Sequence, residues 1–162
     1  MVVSRLLSRC GIYCGACFIY RAETDCGVLL ENMAKKLNVS KMEIKCNGCS
    51  SPYEEQWRNC QKCGFKACQR RRGIENCAQC NDYDACSDFG YLVDFTTYRG
   101  EDIREALNRI EAGEAEEWLI EQEKHWSCRC GQPLMWYDND CRCCGVKIKE
   151  ETISMDGYIF ET

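Results

Sequence analysis

The chain has 162 residues, 17 of them cysteine, and a formal net charge of −5. Leu, Ile, Val and Phe together make up only 30 residues, which excludes the large apolar core of a Rossmann or barrel enzyme; with an acidic balance, such a share usually marks disorder. Eight tyrosines, four tryptophans and periodic apolar stretches argue for a folded chain, held by what cysteine supplies, disulfides or bound metal.

Residues 1–17 contain Arg5 and Arg9 and no apolar run of signal-peptide length. No stretch approaches the ~18 apolar residues of a membrane span. The odd cysteine count and recurrent Cys-x2-Cys spacing favour thiolate ligands over disulfides, so the expected compartment is the reducing cytoplasm. The segment GACFIYRAETDCGVLLENMAKKLNV predicts two short helices, the second over 28–37 with Leu29, Leu30, Met33 and Leu37 on one face. Another fits 83–94, with Tyr83, Phe89, Leu92 and Val93. After Gly100, Ile103, Leu107 and Ile110 recur at helical spacing, and Ala115, Trp118, Leu119 and Gln122 continue it beyond a break at Gly113. Residues 101–124 carry nine acids and three bases, the composition of a solvated helix pair. In the tail, Val146, Ile148, Ile153 and Met155 alternate before a turn at Asp156-Gly157, which reads as short strands.

The expected class is therefore a small α+β protein, metal-stapled, with short helices around several four-cysteine sites and a C-terminal β zinc ribbon. Its expected divisions are a cysteine-rich multi-metal domain (1–97), a helical connector (98–125) and a ribbon-like β module (126–162).

Twelve cysteines lie between Cys10 and Cys86, and five between Cys128 and Cys144. In WSCRCGQPLMWYDNDCRCCG, Cys128 and Cys130 face Cys141 and Cys144, and Gly131 and Gly145 follow the pairs. This is the layout of two tight turns presenting four thiolates to one tetrahedral ion. The first pair is Cys-x-Cys and not Cys-x2-Cys, and Cys143 is left as the spare thiol. Cys46, Cys49, Cys60 and Cys63 repeat a ribbon-like spacing, with Cys68, Cys77, Cys80 and Cys86 and Cys10, Cys14, Cys17 and Cys26 as the remaining candidates. Sixteen ligands would serve up to four zinc ions, in linear sets or a cross-brace. Three cysteines at the spacing of Cys10, Cys14 and Cys17 also suit an iron–sulfur cluster, with Cys26 as a fourth ligand. The short length and the lack of βα alternation argue against a radical-SAM enzyme.

His125, the single histidine, precedes a set already rich in thiolates and reads as exposed or supporting. No catalytic constellation follows from it, and the chain leans towards a non-enzyme. From Arg58 to Arg72 run Lys62, Lys66, Arg70 and Arg71 with no acid among them. This stretch would either clasp nucleic-acid phosphates or offset thiolate charge, since four loaded sites would take the net charge to about −13. The expected partner is a protein, with nucleic acid the alternative and no membrane.

The motifs CGIYCGAC, CNGC, CGFKACQRRRGIENCAQC with Cys86 beyond it, and EEWLIEQEKHWSCRCG resemble a prokaryotic, cysteine-rich family of unknown function whose members are commonly predicted to bind zinc. The resemblance implies family cysteines at Cys10, Cys14, Cys17, Cys46, Cys49, Cys63, Cys68, Cys77, Cys80 and Cys86. It also implies an appended ribbon at Cys128, Cys141 and Cys144. It implies several metal sites and no defined reaction.

Overall fold

The computed structural model describes residues 4–149. Among the described residues, seven α-helices carry the fold, joined by 3-10 turns and knuckle-like loops. The first two, α1 (Phe18–Asp25) and α2 (Gly27–Leu37), form a hairpin hinged at Cys26, which lies at φ 54°. At its far end Asn38 adopts the left-handed conformation and donates its N–H to Ala34 and Lys35, closing the last turn. Two short basic helices follow, α3 (Arg58–Gln61) and α4 (Gly64–Arg72).

Helix α5 (Ser87–Thr97) starts four residues later than its apolar pattern predicts. The reason is a cap: the Cys86 thiol accepts the Phe89 N–H at 3.4 Å, so the helix begins at the cysteine and not at Tyr83. Helices α6 (Ile103–Glu111) and α7 (Ala115–His125) meet their predicted break around Gly113. Asp102 caps α6 by accepting the N–H groups of Arg104 and Glu105, both at 3.0 Å. Arg109 ties the pair together, reaching Glu121 on α7 at 2.9 Å.

The expected α+β class and C-terminal β ribbon are overturned. Among the described residues no strand or sheet forms. The cysteine loops are pinned by isolated bridges only, Ser127 with Pro133 and Asp140 with Lys147. The physical reason lies in the loops themselves: the bridge pairs enclose turns too tight to leave extended residues that could ladder together. The alternation at Ile153 and Met155 and the Asp156-Gly157 turn lie outside the described residues. No helix among those described is long and apolar enough to cross a membrane.

One apolar cluster runs from Tyr13 to Cys141 and joins the N-terminal loops, α1, α2, α7 and the C-terminal segment. Trp136 sits at its centre, 5% exposed. Its N–H bonds the Ala16 carbonyl at 3.1 Å, and its ring packs at an angle against Phe18 and Phe95. Arg142 bonds Asp25 at 2.8 Å and Asp138 at 3.1 Å. A smaller cluster, with Phe89, Ile103 and Leu107 fully buried, lies beneath α5 and α6.

Candidate metal centres

The thiols of the C-terminal segment are gathered by two short turns. In the first, Gly131 N–H bonds the Cys128 carbonyl at 2.8 Å. In the second, Gly145 N–H bonds the Cys141 carbonyl at 2.9 Å. Both glycines have positive φ, 88° and 72°, which any side chain would strain. The sulfurs of Cys128, Cys130, Cys141 and Cys144 all lie within 4.8 Å of one another. Two of the contacts, Cys128–Cys144 at 3.7 Å and Cys130–Cys141 at 3.6 Å, are close to the ~3.8 Å edge of a tetrahedron with 2.3 Å metal–sulfur bonds.

Backbone N–H groups point at the same sulfurs: Cys130 at Cys128, Gln132 at Cys130, and Cys144 and Cys143 at Cys141. Such donors stabilise thiolate over thiol. At Cys141 the Cys144 and Cys143 N–H groups and the neighbouring thiols pull the pKa down to about 6, whereas the pKa values of Cys128, Cys130 and Cys144 are raised. Cys128 and Cys141 are buried and Cys130 and Cys144 exposed, so the set lies at the surface with one flank closed by the core. These four residues could hold a metal ion. Cys143 is exposed, and its backbone N–H, not its thiol, serves the set.

A second set surrounds a small apolar cavity of about 40 Å³ between α4 and α5. Cys68, Cys77, Cys80 and Cys86 line it together with Phe65, Ile74, Tyr83 and Phe89. Gln69, 1% exposed, donates to the Cys77 sulfur and to the Arg9 carbonyl, each at 3.1 Å. Arg72 bonds Asp82 at 2.8 Å and also the Cys68 side chain. Burial raises the Cys77 pKa despite Gln69.

A third gathering draws on five separate elements. Cys14 lies in the 3-10 turn Cys14–Ala16, and Cys17 precedes α1. Cys46 and Cys49 bracket one turn, while Cys60 lies on α3 and Cys63 precedes α4. Cys49 N–H bonds the Cys14 sulfur at 3.3 Å. The Cys49 side chain bonds those of Cys14, Cys60 and Lys66, and this holds its pKa well below that of an ordinary thiol. Burial pushes Cys10 and Cys17 up to about 12. Cys10 also touches the Ser8 hydroxyl at 3.2 Å. Among the described residues, only the C-terminal set brings three or more ligand atoms within 4.8 Å of one another.

The model of a family described as a protein of unknown function (DUF3795) matches residues 6–91. The chain belongs to this family. The DUF3795 region holds the second and third gatherings whole, while the C-terminal set lies beyond it. No curated protein and no solved structure matches the chain.

Cys26 stands apart from its expected partners. It is exposed, and its thiol donates to the Glu23 carbonyl at 3.0 Å. The basic stretch is partly neutralised, Arg58 lying 3.7 Å from Glu43 and Arg72 pairing with Asp82. His125 ends α7, edge-on to Trp126.

Sequence reasoning placed Glu101 on a solvated face, but it is 6% exposed. It accepts the Trp136 indole N–H at 2.6 Å and the Tyr13 backbone N–H at 3.1 Å. Burial raises its pKa from 4.5 to about 8. Its donors lie 35 and 88 residues away, so no local pattern could have marked it.

Proposed function

We propose that this protein is a non-enzymatic, zinc-stabilised interaction module in which Cys128, Cys130, Cys141 and Cys144 hold one structural ion. The observation that carries the reading is the mutual closeness of these four sulfurs, all within 4.8 Å, with two contacts near a tetrahedral edge. Four thiolates suit zinc or iron. Zinc fits a structural role because it does no redox chemistry and takes four protein ligands with no open position. Cys68, Cys77, Cys80 and Cys86, around their cavity, are the second site of the same kind.

When bound, the ion supplies cross-linking and charge, and the chain's own groups do the rest. The N–H groups of Cys130, Gln132, Cys143 and Cys144 support thiolate charge at the first site. Arg72 and Gln69 do so at the second. A structural zinc contributes ~10–16 kcal/mol of apparent binding energy, comparable to the whole stability of a domain.

The test is a thermal melt followed by circular dichroism, before and after chelator treatment of the purified chain under anaerobic conditions. Chelation is expected to abolish or greatly lower the transition; an unchanged melt would overturn the reading. Iron and sulfide in place of zinc would replace the zinc assignment with an iron–sulfur one.

A further inference from the structure

The four sulfurs of the C-terminal set differ in access. Cys130 and Cys144 are exposed, whereas Cys128 and Cys141 are buried against the core. Each of the two close sulfur contacts joins one of each kind: Cys144 meets Cys128 at 3.7 Å, and Cys130 meets Cys141 at 3.6 Å. A disulfide bond is about 2.05 Å long, so either contact closes into one by a movement of about 1.6 Å. Both pairs run from the first turn to the second, so the disulfides would cross-link the same two turns as a shared ion. The second turn is anchored without calling on a thiol. The Arg142 side chain bonds Asp138 at 3.1 Å, and Asp25 and the Pro133 carbonyl each at 2.8 Å.

Cys68, Cys77, Cys80 and Cys86 are arranged otherwise. All four are only partly exposed, around a cavity closed by Phe65, Ile74, Tyr83 and Phe89. No three of their sulfurs lie within 4.8 Å of one another. An oxidant in water reaches these thiols less readily, and an oxidised sulfur there meets no comparable set of neighbours.

We infer that the C-terminal site is a peroxide-responsive metal site. Oxidation enters at Cys130 and Cys144 and closes each onto its buried partner, giving Cys130–Cys141 and Cys128–Cys144 disulfides and releasing the ion. The exposed thiolate attacks one peroxide oxygen, the O–O bond breaks, hydroxide leaves, and the sulfur becomes a sulfenic acid. The buried thiolate then attacks that sulfur, forming the S–S bond and displacing the hydroxyl as hydroxide. For each pair, two thiolates, one hydrogen peroxide and two protons give one disulfide and two waters. A disulfide sulfur is no longer a thiolate ligand, so one closed pair leaves half the ligand set and two leave none. Reduction by a dithiol restores all four thiols. Cys143, exposed beside Cys144 but outside the four-sulfur set, takes no part. This inference rests on the metal-binding reading above and adds a regulation of the same site.

The experiment is a hydrogen peroxide titration of the zinc-loaded full chain, purified anaerobically. Zinc release is followed with a chromogenic indicator, and disulfides are mapped by peptide mass spectrometry. The expected result is loss of one zinc per chain ahead of the rest, in step with the two disulfide-linked peptides, and recovery of that zinc after dithiothreitol and added zinc. Cys143→Ser should release its first zinc at an unchanged rate. Zinc retained throughout, zinc lost from all sites together, release without these disulfides, or a disulfide through Cys143 in their place would overturn this inference alone. A chain that holds no zinc and takes none up would overturn the metal-binding reading itself.

Discussion

The C-terminal thiols and those of the family region solve the same problem by opposite routes. Cys128 to Cys144 come from two turns within 17 residues and reach mutual contact by local backbone geometry. Cys49 and the six thiols around it come from segments spread over residues 10–63 and approach one another without the same mutual closeness. The first arrangement requires little chain ordering before an ion binds. The second requires α1, α3, α4 and their loops to dock first, so an ion held there would be tied to folding of the region. The lesson is that the local site tolerates loss of its neighbours better than the distributed one does.

The most severe way to break the comparison is to remove ligands one region at a time. Cys49→Ser should cost more than Cys130→Ser, by several kcal/mol where an ion is lost with its ligand, in chemical denaturation of anaerobically purified protein. A larger loss at Cys130, an exposed ligand, would reverse the ranking.

Next in size is the joint between the regions. Trp136→Ala should destabilise the chain by about 3–5 kcal/mol, the usual cost of emptying a buried aromatic site. It removes the indole bond to Glu101 together with the Phe18 and Phe95 contacts. If the two regions were independent, the loss would fall on the C-terminal segment alone; the shared cluster makes it felt in both, readable as hydrogen exchange in α1 as well as in residues 126–149.

Glu101 gives a smaller, pH-dependent effect of known sign. Buried, it keeps a proton up to about pH 8 that the unfolded chain loses near 4.5. The native state then binds more protons across that interval, so stability falls as pH rises from about 4.5 to about 8. Glu101→Gln keeps an acceptor for Trp136 and should flatten this slope, measured as the difference in melting temperature between wild type and variant at pH 5.5 and pH 8. An unchanged slope would show that Glu101 is ionised in its pocket.

The smallest effect is expected at Arg109. It is partly exposed and faces two exposed acids, Glu114 and Glu121. Arg109→Ala should cost no more than about 1 kcal/mol in a denaturation curve, and less in high salt. A larger cost would mean that the α6–α7 pair is held by charge and not by Ala106, Trp118 and Leu119.

The helices were legible where period and caps agreed. Leu29, Leu30 and Met33 marked α2, and Ile103, Leu107 and Gly113 marked α6 and its end. Helix α5 was displaced because a thiol took the cap, a role composition does not advertise. The tail was misread because alternation in Val146 and Ile148 carries no information on whether a partner strand exists; here a single bridge ends the pairing. At the sites, the Cys128–Cys144 set was legible from spacing alone since its closure is local. The grouping of the other cysteines was not, because it depends on which helices dock. Dividing them by order along the chain puts Cys26 with Cys10, Cys14 and Cys17, yet Cys26 points its thiol at its own helix end.

The central claim, that these thiols are metal ligands, is tested most directly by counting metal per chain. Elemental analysis of anaerobically purified wild type, set beside the Cys128→Ser/Cys141→Ser double variant, should give at least two zinc ions per chain, falling by one in the variant. A ratio near zero in wild type, or one that the double variant leaves unchanged, would contradict the account.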